Sequence, residues 1–438
     1  MNENKNNVSK ELLVPIFNLI KNKKYNDALS LLETISNKMR EESITNKIRG
    51  LIYLKKKNWI KSLEYYEKVP NNKMDFEIYN NMGVALYKLG KFSEASIKFQ
   101  RSINSKNKYI PAYENFCVTN KLLGNYEDSI SFSLKALKLM PENNKIKINL
   151  IDILNYFDPK KIENPILEMN NQIKDLNYGI YKSKLIKNKE INNILNSSQK
   201  ILKKNNFVFN YPHTQIFKKN SENLNCERHL SLFSKHKIIP KFCFNCYKLQ
   251  ITINDVISLL KLYFYFNKLN LKRNNIKKCI VELRRKVTGN YKGYIFCGSK
   301  IEAENIEKII SSDLKGQSIN IGKIEIKHGC TEYYEEFELY KNINEDLTNR
   351  IYQAKWADIE KEFDKINFIQ ENTEEKVFTK SINVFNLPDF LIIKNWLIYA
   401  KLIGDNSYID IYESEVKTDH LSQFEKEKII MRKNNKYI

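Results

Sequence analysis

Tyr79-Asn80-Asn81-Met82-Gly83-Val84-Ala85-Leu86-Tyr87-Lys88-Leu89-Gly90-Lys91-Phe92-Ser93-Glu94-Ala95 is the stretch whose reading decides the fold. On a helical wheel Tyr79, Met82, Gly83 and Leu86 share one face. Thirty-four residues on, Cys117, Gly124 and Tyr126 stand where Gly83, Gly90 and Phe92 do. The following helix carries Ala95, Phe99 and Ser102, matched by Ser129, Ser133 and Ala136, and Pro141 closes that unit. An earlier unit, one residue shorter, contains Gly50, Trp59, Ser62, Tyr66 and Val69, and a degenerate first unit contains Tyr25, Ala28, Leu32 and Ile35. A fixed period of this length marks stacked helix pairs, none of which can bury its apolar face alone.

These residues resemble the tetratricopeptide repeat family, whose unit sets a small residue on one helix against an aromatic on the next. Gly83, Ala95 and Ala136 are the small positions here; Phe92, Phe99 and Tyr126 are the fillers. The resemblance implies about four repeats over residues 9–143 with Lys145–Tyr156 as a capping helix, roughly a third of the chain. Cys117 and Asn120 depart from the Gly and the aromatic that the family prefers.

Function in such arrays lies on the inner face of the first helix of each pair. Asn81 sits about 200° around the wheel from Tyr79, pointing away from the packed face. Asn115 and Asn149 recur in the same register. This ladder is similar to that of the O-linked N-acetylglucosamine transferase superhelix, which implies amide bonding along an extended peptide. Asn carries both donor and acceptor, which suits a peptide main chain. The abundance of Asn in this chain gives the recurrence a compositional reading as well. Glu77, Lys88 and Lys121 are expected to line the same groove.

From Phe242 the pattern turns to alternation. Strands are expected at Leu249–Ile253, Cys279–Leu283, Tyr291–Cys297 and Ile319–Cys330. Helices are expected at Asn254–Leu269, with an Asn cap, and at Ile301–Ile310. Strand–helix–strand–strand–helix–strand is the ferredoxin-like order. Within it, Arg285 to Phe296 resembles the RNA-recognition motif. Lys292, Gly293, Tyr294 and Phe296 match its third strand, which implies that Tyr294 and Phe296 face outward to stack bases. The first strand lacks the matching aromatic, and an ordinary core with one exposed Tyr–Phe pair is the competing reading.

Six of seven cysteines fall in the second half. Cys226-x2-His229 and Cys243-x2-Cys246 supply four ligands in two close pairs, a form that tetrahedral zinc accepts. Buried packing thiols are the alternative. In the ferredoxin-like strand order 4-1-3-2, Cys243, Cys246, Cys279, Cys297 and Cys330 are expected to converge on one end of the sheet, with Cys226 and His229 folding over it. Phosphate-cradling and dinucleotide-binding Gly motifs are missing, and only five His are present. A Cys nucleophile with His229 or His328, or Glu282 and Arg284 with Glu332, would be the actors of an enzyme, with the array recruiting its substrate.

The net charge of +22 is spread along the chain, and the Lys–Asn–Ile bias points to an AT-rich genome rather than to a nucleic-acid tract. No secretory signal is read at the start, and the apolar runs near Leu259–Leu269 and Phe390–Ile403 are broken by lysines, so no membrane span and a cytoplasmic location are expected. The expected organisation is α+β and multidomain: a disordered tail at 1–8, an all-α tetratricopeptide solenoid at 9–158, a helical connector at 159–224, a Cys-rich ferredoxin-like domain at 225–334 and a helical region at 335–438. The expected role is an adaptor that holds a protein or extended peptide, with RNA the less favoured partner and zinc the candidate cofactor.

Overall fold

In the computed structural model, residues 13–39, 42–159, 163–176, 179–181, 183, 185–219, 224–273, 275–284, 287–366, 379–417, 426–427 and 429–430 are described. The tail at 1–8, most of the last twenty residues of the region expected to be helical at 335–438, and Arg285 with Lys286 lie outside them. The chain forms two compact units, Met1–Leu150 with Asp364–Val377, and Ile151–Phe363 with Phe378–Ile438.

The first unit is helical. Its helices are α1 (13–21), α2 (Tyr25–Met39), α3 (Glu42–Lys55), α4 (Trp59–Glu67), α5 (Phe76–Lys88), α6 (Phe92–Ser105), α7 (Ile110–Leu122) and α8 (Tyr126–Leu139), and α9 (Asn144–Ile153) runs on from it. Short turns fold each odd helix onto the even helix after it. The turn residue is left-handed in every pair: Lys23 (φ 60°), Lys57 (φ 61°), Gly90 (φ 78°) and Gly124 (φ 76°), spaced 34, 33 and 34 residues apart. That recurrence brings even the degenerate first pair into register.

Close approach within the pairs rests on glycine. A Cβ on Gly83 would lie 2.5 Å from the Phe99 ring, and one on Gly50 would lie 2.7 Å from Tyr66. Ser62 Oγ donates to the Gly50 carbonyl at 2.9 Å, and Ser129 Oγ donates to that of Cys117 at 2.7 Å, one contact made twice in equivalent positions. Asn120, buried where an aromatic is usual, donates to Ser96 Oγ and the Phe116 carbonyl and accepts from Asn125. A polar side chain is tolerated there because its hydrogen bonds are made inside the array.

The second unit holds α10 (Pro165–Asp175), α11 (Asn188–Lys204), β1 (Gln215–Lys218), α12 (Cys226–His236), β2 (Tyr247–Ile253), α13 (Val256–Lys268), β3 (Lys277–Val281), β4 (Tyr291–Cys297), α14 (Lys300–Lys315), β5 (Ile321–His328), α15 (Thr348–Ile351), α16 (Ala354–Ile366) and α17 (Leu387–Ile403). The five strands form one antiparallel sheet in the order β1-β3-β4-β2-β5. Leu249, Ile251 and Ile253 pair with Ile295, Gly293 and Tyr291 on one side and with Ile326, Ile324 and Ile321 on the other, so these residues share a face. A Cβ on Gly293 would collide with Leu262 of α13, which lies on that face.

Asp255 caps α13 in place of the expected Asn254, accepting from Ser258 N at 2.7 Å. The segments 159–224, 225–334 and 335–438, separate in the sequence reading, share one core. The Lys218 ammonium of β1 meets Asp389 of α17 at 2.7 Å with both side chains buried, and Tyr263 of α13 donates to the same carboxylate at 2.6 Å. Trp396 Nε1 donates to the Thr214 carbonyl, and Tyr399 Oη to that of Glu282. Trp396 and Tyr399 are fully buried packing residues, as their apolar surroundings in the sequence imply.

Candidate functional site

In the first unit, α5, α7 and α9 present their inner faces to a cleft of about 260 Å³. Val84, Tyr87 and Lys88 of α5, Glu114, Asn115 and Val118 of α7, and Lys145, Ile146 and Asn149 of α9 form its walls, with Phe99 and Cys117 beneath. The 34-residue step explains this alignment. Val84 and Val118 occupy one register and Asn115 and Asn149 another, so successive first helices offer like side chains to the same space. Val118 is 36% exposed, an apolar side chain turned to the cleft. Lys88 is exposed, with its ammonium 5.7 Å from the Tyr87 ring centre. Glu114 accepts from Asn143 at 2.8 Å and from Lys145 at 3.2 Å. Burial pushes the Cys117 thiol up to about 12, so it packs as a neutral group.

The Asn ladder differs from the sequence expectation of three solvent-facing amides. Asn81 Nδ2 donates to Tyr66 Oη at 3.1 Å, and Asn115 Nδ2 donates to Asn80 Oδ1 at 2.9 Å. Asn149 is buried, 3% exposed, and donates to Ser129 Oγ at 3.0 Å. Each donor is thus used between helices, because the close packing of the pairs brings a neighbour's acceptor within reach. Asn149 Oδ1 has no hydrogen-bond partner among the described residues, and its residue lines the cleft. Asn81, Glu77 and Lys121 are not among the cleft residues. Glu77 is engaged by Lys47, whose ammonium lies 3.0 Å from it and 2.5 Å from Asp75. Burial opposes the Lys47 charge, yet these two carboxylates raise its pKa above the ordinary lysine value. Lys47, Asn80 and Glu114 stand in one register, a periodic signal that would have found Lys47 and Glu114 had every inner-face position been followed.

The four zinc-ligand candidates do not all gather, His229 being the one that turns away. Cys226 is exposed at the start of α12, whereas His229, one turn on, is buried and stacked on Phe242 at 5.2 Å. Cys243 is buried, its sulfur 3.5 Å from Tyr333 Oη. Cys246 packs its sulfur on Gly329, 2.5 Å from where a Cβ would be. Among the described residues no three His, Cys, Asp or Glu side chains come together to hold a metal ion. α12 turns His229 into an aromatic stack instead of toward the sulfurs, so the Cys226–His229 pair does not point its two donors to one place.

The thiols do meet at one end of the sheet in part. Cys226, Cys246 and Cys330 are close enough to feel one another's charge, as are Cys246 and Cys297. Cys243 and Cys330 pack in one cluster, and their interaction, with burial, pushes the Cys243 thiol well above its ordinary value, while the same interaction draws Cys330 below it against the effect of burial. Burial raises Cys246 to about 12. Cys279 departs from the expected set. It lies opposite Gly293 within β3, near Asp389, Lys277 and Lys218, because β3 begins at Lys277 and places Cys279 two residues further in.

The outward-stacking expectation for the sheet is also corrected. Tyr294 is 4% exposed, with the ammonium groups of Lys248 and Lys278 at 5.3 and 5.8 Å from its ring centre. Lys292 is buried and paired with Glu282 at 3.0 Å, and Phe296 is half-buried. Lys292 and Tyr294 are therefore spent on internal contacts, leaving no open pair of rings for bases. Glu282, Arg284 and Glu332 do come together, at 2.8 and 3.3 Å. Burial works against the Glu282 charge, but Arg284 and Lys292 bring it down to about 2. His328 stacks between Tyr247 and Tyr340, and burial lowers it to about 4, so it is a neutral packing group. No helix among the described residues is long and apolar enough to cross a membrane.

No protein-family model matches the chain, and no curated protein matches it. Solved structures similar to its N-terminal part are tetratricopeptide repeat proteins. The chain is 24% identical to the Arabidopsis OM64 TPR domain over 24% of its own length and 89% of that chain, with a TM-score of 0.23. It is 16% identical to MamA over 31% and 79% of the two chains, with a TM-score of 0.29. It is 17% identical to YrrB, described as a TPR protein with an unusual peptide-binding site, over 32% and 74%, with a TM-score of 0.29.

Proposed function

We propose that this chain is a tetratricopeptide-type adaptor that holds an extended segment of a partner protein in the cleft formed by α5, α7 and α9. The observation that carries the reading is Asn149 Oδ1, a buried acceptor without a partner among the described residues, in a cleft walled by Val84, Val118 and Ile146. A buried carbonyl left unmatched costs about 1–3 kcal/mol, which a peptide N–H would recover if its binding opens the cleft floor over Asn149. The apolar walls suit a small aliphatic side chain of the same segment, with Lys88 at the rim. The sheet unit is read as ferredoxin-like: without the edge strand β1, its strands run β3-β4-β2-β5, and α13 and α14 fall between β2 and β3 and between β4 and β5.

A random peptide library selected on the full chain tests the reading. Selected ligands should bind at least tenfold more weakly to Val118→Asp and to Lys88→Glu, both of which change side chains that face the cleft. Ligands that bind these variants as well as the parent chain would remove the cleft as the site.

A further inference from the structure

We propose that Cys330 and Cys243 form a peroxide-responsive dithiol that closes to a disulfide at the end of the sheet. Cys243 lies in the helical turn Lys241–Asn245 just before β2, and Cys330 follows β5 by two residues. β2 and β5 are paired up to Tyr247 and His328, and the pairing continues one step through Gly329 N donating to the Cys246 carbonyl at 2.7 Å. The two chains therefore leave the sheet side by side, and the cysteines they carry pack into the same apolar cluster. Tyr333 Oη lies 3.5 Å from the Cys243 sulfur, and Cys330 packs against the cluster that holds both residues. The two cysteines pack in one apolar cluster with Tyr333 and Tyr340. Tyr340 Oη donates to the Cys243 carbonyl at 2.6 Å, which holds that turn in place.

The two thiols differ in access. Cys243 is 2% exposed, whereas Cys330 is only partly buried, so an oxidant in solution meets Cys330 first. Lys248 Nζ is held 2.9 Å from the carbonyl of Gly329, the residue before Cys330, which sets a positive charge near that sulfur against the negative charge of Glu332. The oxidant is hydrogen peroxide. An electron pair of the Cys330 sulfur attacks one peroxide oxygen, the O–O bond breaks, and water leaves carrying the thiol proton, giving a sulfenic acid. The Cys243 sulfur then attacks the Cys330 sulfur, the S–S bond forms as the S–O bond breaks, and the Cys243 proton leaves with a second water. Two thiols and one peroxide become one disulfide and two waters.

The test uses the full chain, reduced, exposed to hydrogen peroxide, blocked with N-ethylmaleimide and mapped by mass spectrometry after proteolysis. Cys243 and Cys330 should lose alkylation together and appear as one linked peptide pair, in the parent chain and in Cys226→Ser alike. Cys243→Ser should instead yield a sulfenic acid on Cys330 that dimedone traps, and Lys248→Met should slow the loss of the thiols several-fold. Full alkylation of both cysteines after peroxide overturns the proposal. Linkage of Cys330 to exposed Cys226 overturns it too, as does stoichiometric zinc in protein purified without a metal-affinity step.

Discussion

Gly83→Ala puts a methyl carbon 2.5 Å from the Phe99 ring, where ordinary contact begins near 3.4 Å, so α5 and α6 or the ring must yield by almost 1 Å. Phe99 is 1% exposed and packed in the cluster that joins α5, α6 and α7, so the ring has no open space to enter. Overpacking costs about 1–3 kcal/mol, and the enclosed ring puts this site in the upper half of that range, about 2–3 kcal/mol. Alanine recovers about 1 kcal/mol through its better helix propensity, so a net loss of about 1–2 kcal/mol is expected. Urea unfolding of the full chain, followed by helical circular dichroism, should show the array's transition at a lower midpoint, by about 0.5–1 M for a typical denaturant slope. Phe99→Leu added to Gly83→Ala should restore part of the loss, because the smaller side chain vacates the collision. Gly316→Ala is the control, since its nearest neighbour is a backbone oxygen at 3.8 Å. If Gly83→Ala unfolds no earlier than the parent, the close apposition of α5 and α6 is wrong.

Lys57→Gly relieves a left-handed turn that costs a side-chain-bearing residue about 1–2 kcal/mol, so it should stabilise the array by about 0.5–1 kcal/mol in the same titration, and a loss of stability would contradict the shared turn geometry. Asp389→Ala strands the buried Lys218 ammonium and should cost about 3–5 kcal/mol; a cost under about 1 kcal/mol would mean that the pair is not buried as described. Glu282 is held at about 2 in the folded chain against an ordinary 4.5, so its contribution is complete above pH 4.5 and is lost as the pH falls toward 2. Glu282→Gln should therefore lower neutral-pH stability by up to about 3 kcal/mol, at about 1.4 kcal/mol per pH unit, and flatten the acid limb of the stability curve. Parallel acid limbs in the two proteins would refute that role.

The helix pairs were legible because their signal is local and repeated. Gly83 with Phe99, and Gly50 with Tyr66, announce a close contact through residue size and spacing alone. The strands were legible from alternation, with ends misjudged by two residues or so where Lys277 and Lys278 extend β3 beyond its apolar part. Partner choice among polar groups was not legible. Periodicity places Asn81, Asn115 and Asn149 in one register, but it does not reveal that Tyr66, Asn80 and Ser129 stand ready to accept from them. The same holds for Tyr294, whose alternation assigns it a face without saying that the face is buried. Correct Cys and His spacing likewise says nothing of side-chain direction, and His229 turns to Phe242 instead of a metal.

Hydrogen–deuterium exchange of the full chain, with and without a peptide selected on it, tests the central claim most directly. Protection on α5, α7 and the start of α9, including the backbone around Val84, Val118 and Ile146, is the predicted result. Protection confined to the sheet strands β1–β5, with α5, α7 and α9 unchanged, would contradict it.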